Sequence, residues 1–244
     1  MLLAASHGTS DPVGQAAVAA LVRAVADARP DTAVRGSFVD VQQPDVPTTL
    51  DALADDVPAV VVPLLLSAGY HVHVDLADAA RDALPRRVTV TDALGPDARL
   101  TRILADRLYE AGLADDDRIV LAAAGSSNAD AVADCYTVGR ELSILLDRPV
   151  TVAFISAAKP RLSCAVASAR ISSRGGRVVV ATYLLAPGYF AGLARTAGAD
   201  LVTAPLLAAG QAPPTGLVDT VIDLYERSLA EVLPAVCDER VTAA

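Results

Sequence analysis

Pro63-Leu64-Leu65-Leu66-Ser67-Ala68-Gly69-Tyr70-His71 reads as the end of an apolar strand, a turn and the start of a helix. Roughly 116 to 119 residues later the chain says nearly the same thing again, as Thr182-Tyr183-Leu184-Leu185-Ala186-Pro187-Gly188-Tyr189-Phe190. Three further segments repeat in the same order. Leu2-Leu3-Ala4-Ala5-Ser6 pairs with Val120-Leu121-Ala122-Ala123-Ala124, Phe38-Val39-Asp40 through Pro44 with Phe154-Ile155-Ser156 through Pro160, and Leu108-Tyr109-Glu110 with Leu224-Tyr225-Glu226. Ordered matches at one offset are the mark of a duplicated domain. Asp115-Asp116-Asp117 lies at the junction, which divides the chain into 1–116 and 117–244.

Outward from these segments, short β-branched runs alternate with helical patterns. The runs are Leu2–Ala5, Val34–Val39, Ala59–Leu66 and Val88–Thr91, then Ile119–Ala123, Val150–Phe154, Arg177–Thr182 and Leu201–Ala204. Val18, Leu21, Val22 and Val25 follow the i, i+3, i+4, i+7 spacing of a one-sided helix, as do Val218, Val221, Ile222 and Tyr225. Strands that are apolar along their whole length, alternating with helices, predict parallel sheets covered on both faces. The expected class is α/β: two tandem similar domains, each a parallel four-stranded sheet flanked by helices, with the active site in the cleft between them.

Composition narrows the function. The net charge is −9 and no basic run of five or more exists, which disfavours nucleic acid as a partner. The longest apolar stretch, 59–68, contains Pro63 and has about half of the ~20 residues that a bilayer span needs. The first residues carry no basic group ahead of their apolar run, so no secretory leader is expected. Cys135, Cys164 and Cys237 are isolated, which indicates neither a disulfide framework nor a thiolate zinc site. The expectation is a cytoplasmic protein, monomeric, with two halves acting as a pseudo-dimer.

The repeat also serves as an internal control for chemistry. All three histidines, His7, His71 and His73, lie in the first half. His7 follows the first strand, Asp40 the second and His71 the third, and residues just past the C-termini of parallel strands share one edge of the sheet. Laid over the second half, His7, Asp40 and His71 fall on Gly125, Ser156 and Phe190. The framework is kept and the ionisable groups are gone, which points to a site in the first half and a wall in the second. Bland readings stand beside this one. Asp40 can be a turn-forming residue. His73 either assists His71 or is an exposed residue at the start of the next helix. Gly8, Thr9 and Ser10 either cradle an anion or cap the helix that follows.

Together, His7-Gly8-Thr9-Ser10-Asp11-Pro12, Phe38-Val39-Asp40 to Pro44 and Pro63 through Asp75 resemble the sirohydrochlorin chelatases of the CbiX/SirB type, small ATP-independent class II chelatases. The resemblance covers essentially the whole chain. It implies insertion of a divalent metal, Co2+ or Fe2+, into sirohydrochlorin or a related tetrapyrrole, for sirohaem or cobalamin. The metal is then a substrate, and no tightly bound cofactor is expected. The matching histidines, His7 and His71, would bind metal and handle pyrrole protons. Asp40 takes a position where the family usually has Glu, and Ser10 one where it often has Arg. Ser10, Tyr70, Tyr189 and Phe190 are the substrate-side residues, with Leu65 and Leu184 as further apolar wall. Arg35, Arg81, Lys159 and Arg161 are candidates by position for partners of substrate carboxylates, with a solvated surface charge as the stronger reading of each.

Two imidazoles and a carboxylate suit iron or cobalt at a site with open positions, and a closed cage would trap the metal. Imidazole, with a reference pKa of about 6.5, also accepts protons near pH 7. Rival functions are a non-catalytic tetrapyrrole or metal carrier and a His7-dependent hydrolase. The second lacks a G-x-S-x-G elbow, and no G-x-x-x-x-G-K-[ST] or G-x-G-x-x-G phosphate loop is present.

Overall fold

The computed structural model describes residues 1–54, 56–67, 70–172 and 175–239, with the backbone alone at 70–73 and 231–239. Strands β1 (Leu2–Ser6), β2 (Val34–Phe38), β3 (Ala59–Pro63) and β4 (Val88–Val90) form one parallel sheet in the order β2-β1-β3-β4. Strands β5 (Arg118–Ala123), β6 (Val150–Phe154), β7 (Val178–Tyr183) and β8 (Leu201–Val202) form a second in the order β6-β5-β7-β8. All eight predicted strands are present. The central strands β1 and β3 are buried at every residue because helices cover both faces, which is why they read as unbroken apolar runs. The chain leaves β1 toward β2 on one side and returns to β3 on the other. The gap between β1 and β3 is therefore a topological switch point, where a crevice opens at the strand C-termini.

The helices start where sequence and backbone chemistry say they should. Helix α1 (Pro12–Ala28) has proline at its first position, and Asp11 caps it by accepting from the N–H groups of Val13 at 2.8 Å and Gly14 at 3.4 Å. After α2 (Val46–Asp51), α3 (Tyr70–Asp82) and α4 (Ala98–Glu110), α5 (Ala129–Leu146) repeats the arrangement with Asn128 accepting from Asp130 N–H at 2.9 Å. Helices α6 (Leu162–Ser172), α7 (Tyr189–Arg195) and α8 (Thr215–Glu239) complete the second half.

The two halves exchange their last helices. Helix α4, from the first half, packs on α5 and β7 of the second, while α8 packs on α1 and β3 of the first. One continuous apolar core results, running from Leu2, Leu21 and Leu64 through Leu104 and Leu108 to Leu121, Val179 and Val221. Full burial of each such leucine is worth about 1.5–3 kcal/mol. Each sheet keeps a smaller core on its outer face, around Leu50 and Leu76 in one and Leu162 and Val166 in the other. Arg99 on α4 ties the exchange together, holding Asp97 through its Nη2 at 2.7 Å and Asp223 of α8 through its Nη1 at 2.5 Å.

Hydrogen bonds correct the overlay of the two halves by one residue at the first strand. Val39 and Asp40 donate to the carbonyls of Ser6 and His7, and Ile155 and Ser156 donate in the same way to Ala123 and Ala124. Leu2 therefore corresponds to Ile119 rather than Val120, and His7 to Ala124 rather than Gly125. Gly125 is the partner of Gly8: their φ angles are 94° and 90°, and a Cβ on either would strike the carbonyl oxygen of Ser156 or Asp40. The identity of two left-handed glycines outweighs the apolar pattern, which a one-residue shift leaves almost unchanged. His71 still matches Phe190, each the second residue of its helix. Among the described residues, no helix is long and apolar enough to cross a membrane.

Candidate functional site

At the switch point the C-terminal edges of both sheets border a cavity of about 490 Å³. Its walls come from 6–10 after β1, 64–67 after β3, 123–126 after β5 and 183–191 after β7, so both halves contribute. The helix exchange brings these edges together. Gly14 on α1 lies so close to Pro187 that a Cβ there would overlap the proline's carbonyl oxygen. Tyr183, at the end of β7, donates its hydroxyl to the carbonyl of Leu66, after β3, at 3.0 Å.

His7 is exposed and lines this cavity. So do Ser10, Tyr189 and Phe190, together with Leu65 and Leu184. The Tyr189 and Phe190 rings meet edge to face, with centroids 5.8 Å apart, and Tyr189 is 76% exposed at the mouth. Asp40 lies beside His7 in the backbone, its N–H donating to the His7 carbonyl at 3.2 Å. Its carboxylate turns back to accept from Val41 N–H at 2.7 Å, the turn-forming role, and Val41 and Gln42 line the cavity in its place. The side chains of Tyr70, His71 and His73 fall outside the described residues, as do Ala68 and Gly69. The backbone puts Tyr70, His71 and His73 in the first turn of α3.

Of the two readings open for the residues after His7, turn and capping chemistry is what Thr9 shows: its Oγ1 accepts from Asp11 N–H at 3.1 Å, and Ser126 does the same for Asn128 at 3.0 Å. None of the candidates Arg35, Arg81, Lys159 and Arg161 lines the cavity, nor does any other described Arg or Lys. Arg81 pairs with Asp78 at 2.7 Å, the Arg161 guanidinium donates to the carbonyl of Ile155 at 3.4 Å, and Arg35 and Lys159 are exposed elsewhere. A hydrated guanidinium is stable at the surface, and nothing in the apolar wall offsets the cost of moving it inward.

Two ionisable groups in the wall, Cys135 and Tyr183, are held neutral by burial. Burial pushes the Cys135 thiol up to about 11, with Asp134 adding to the shift, and the thiol donates to the Ala131 carbonyl at 3.3 Å. In this structure the thiol is engaged with its own helix and forms part of the wall. Burial likewise pushes the Tyr183 phenol well up, which keeps it a hydrogen-bond donor. Among the described residues no three His, Cys, Asp or Glu side chains are grouped to hold a metal. What the described wall offers is a largely apolar slot with one imidazole at its mouth.

The family model of CbiX matches residues 1–111 and 118–194. The chain belongs to the CbiX family. Solved structures similar to this CbiX-family chain include SirB from Bacillus subtilis with Fe3+, 20% identical, TM-score 0.75, covering 94% of this chain and 96% of that one. A second is the sirohydrochlorin chelatase SirB from Bacillus subtilis subspecies spizizenii in complex with cobalt, 17% identical, TM-score 0.68, covering 91% and 92%. A third is CbiX, the terminal enzyme for biosynthesis of siroheme in denitrifying bacteria, 20% identical, TM-score 0.66, covering 91% and 98%. These likenesses show that the CbiX-family chain has the fold of those proteins over nearly its whole length. Among curated proteins nothing matches it.

Sequence reading missed how the His7 loop is held. Thr9 N–H donates to the side-chain oxygen of Gln42, and the Thr9 carbonyl accepts from the side chain of Gln15. A signal was available. Asp40-Val41-Gln42-Gln43-Pro44 has an amide at its third place, where Ser156-Ala157-Ala158-Lys159-Pro160 has Ala158.

Proposed function

We propose that this protein is a metal chelatase that inserts Fe2+ or Co2+ into sirohydrochlorin or a related tetrapyrrole. One observation carries the reading: an apolar cavity shared by both halves, at the switch-point edge, with His7 at its mouth. Membership of the CbiX family supports it, as do similar structures described as sirohydrochlorin chelatases and holding iron or cobalt.

The chemistry follows from what metallation demands. A hydrated divalent cation loses water, two pyrrole N–H protons leave, and the four ring nitrogens take the metal. His7 and His71 hold the incoming cation through neutral imidazole nitrogens, leaving positions open for the ring. As each metal–imidazole bond yields to a pyrrole nitrogen, the freed imidazole can accept a pyrrole proton and pass it to water. Asp40 orders the turn beside His7. Ser10, Tyr70, Tyr189 and Phe190 contact the tetrapyrrole, whose flat face suits the Leu65 and Leu184 wall, and its carboxylates stay in solvent at the mouth. On this reading 1–116 handles the metal and 117–244 supplies the opposing wall. On the same reading the protein is cytoplasmic, and it acts as a monomer because its two halves already form the cleft.

The test is metallation of sirohydrochlorin followed by visible absorption, with and without the protein, using Fe2+ and Co2+ in turn. Catalytic turnover supports the reading. Stoichiometric binding without acceleration would make the protein a carrier.

A further inference from the structure

We propose that Gln42 and Gln15 are positioning residues that hold the His7 loop, and that this pair of side-chain amides is a device present only in the half that carries the imidazole. Thr9 is two residues past His7, across Gly8, whose φ of 90° makes a natural hinge. Both polar groups of the Thr9 backbone are taken by side chains from other parts of the first half. Its N–H donates to Gln42 Oε1 at 2.9 Å, and its carbonyl accepts from Gln15 Nε2 at 2.8 Å. Because an N–H can only donate and a carbonyl can only accept, the two amide orientations are unambiguous. Gln42 comes from the turn after β2 and Gln15 from α1, so the loop is pinned from two directions.

The second half supplies the control. Its turn keeps the same backbone: Gly125 matches Gly8, Ala157 matches Val41 with φ of 52° against 54°, and Ala158 N–H meets Ser156 O as Gln42 N–H meets Asp40 O, each at 2.5 Å. It keeps the cap as well, with Ser126 in the place of Thr9 and Asn128 in that of Asp11. At the places of Gln42 and Gln15 it has Ala158 and Val132, which can make neither bond. The loop therefore folds without the clamp. Where His7 is replaced by Ala124 there is no imidazole to aim, and the clamp is gone.

The kinetic part of this inference rests on the proposed chelatase reading; the exchange part does not. Hydrogen exchange of the Thr9 amide is measured by NMR in the whole protein. Gln42→Ala and Gln42→Met should each speed it about tenfold, and Gln42→Glu, which keeps an acceptor oxygen, should restore the protection. Gln15→Glu should loosen the loop, since a carboxylate cannot donate to the Thr9 carbonyl. If sirohydrochlorin is metallated, Gln42→Met should lower kcat about tenfold with KM for the tetrapyrrole within twofold, because a misaimed imidazole slows the step while Met keeps the bulk of the Gln42 side chain in the cavity wall. Gln42→Met matching wild type in exchange and kcat would reduce Gln42 to a space-filler and overturn the proposal. Wild-type protein that fails to metallate would overturn the chelatase reading alone, and lost Thr9 protection in Gln42→Met would still uphold the clamp.

Discussion

The hydroxyl of Tyr183 reaches across from the second half to the carbonyl of Leu66 in the first, 3.0 Å away, and Gly95 lies against both atoms. A Cβ at Gly95 would stand 2.6 Å from the Leu66 oxygen and closer still to the tyrosine hydroxyl. The bond thus depends on a residue without a side chain. Tyr183→Phe should destabilise the protein by about 1 kcal/mol, the value of one buried neutral hydrogen bond. Gly95→Ala should cost more, about 2 kcal/mol, through overpacking. Urea unfolding of both variants and the double variant should give non-additive losses, since the same contact is broken twice.

A second inter-segment lock is electrostatic. Asp117, buried at the junction of the halves, accepts from Arg177 Nε at 2.9 Å and Nη2 at 2.7 Å and from Ala114 N–H at 2.8 Å. The Arg177 hydrogen bonds hold its carboxyl below the usual carboxylate range, against the opposing effect of burial. A carboxyl depressed in the folded state adds stability above its unfolded pKa, near 3.9, and loses it as pH falls through the folded value. Asp117→Asn should therefore lose stability at pH 7 and show a shallower decline than wild type as pH drops from about 5 to 2, followed by urea unfolding at each pH.

Much of this architecture was legible in the chain, and the reasons differ by feature. The strands announce themselves because full burial on both faces leaves them almost wholly apolar, as at Leu2–Ser6, where Ser6 at the end is the one polar residue, and at Ala59–Pro63. The placement of His7 at the C-terminal edge follows from its position after the central strand. The exchange of α4 and α8 was hidden, because an amphipathic stripe such as Val218, Val221 and Tyr225 says that a face is buried and not against which sheet. The one-residue overlay error arose from the same blindness: Leu2–Ala5 and Ile119–Ala123 are apolar runs that a shift of one leaves almost unchanged, and their register shows in the backbone, in the hydrogen bonds of Val39 and Asp40 and of Ile155 and Ser156 and in the φ angles of Gly8 and Gly125. The roles of Gln15 and Gln42 depend on contacts with Thr9 across 6 and 33 residues, respectively, that no local pattern contains.

Phe190 stands where the first half has His71, and it is 37% exposed in the cavity wall. Phe190→Ala should cost under about 1 kcal/mol of stability, since the ring is only partly buried. Loss of its contact with a flat macrocycle should raise KM for sirohydrochlorin several-fold and leave kcat within twofold. Steady-state kinetics separates the two effects.

The absence of Arg and Lys from the described cavity wall sets a sign for salt. An acidic protein of charge −9 repels a polycarboxylate, and no described wall residue supplies an ion pair to oppose this. Raising ionic strength from about 0.05 to 0.3 M shortens the screening length and should lower KM or leave it unchanged. A KM that climbs steeply with salt would require cationic contacts with the substrate.

The central claim is that His7 and His71 share one metal. X-ray absorption of the Co2+-loaded protein tests it directly by counting imidazole ligands. The account predicts two imidazoles in wild type and one in each of His7→Ala and His71→Ala, with both variants folded. A cobalt spectrum unchanged by either substitution would contradict it.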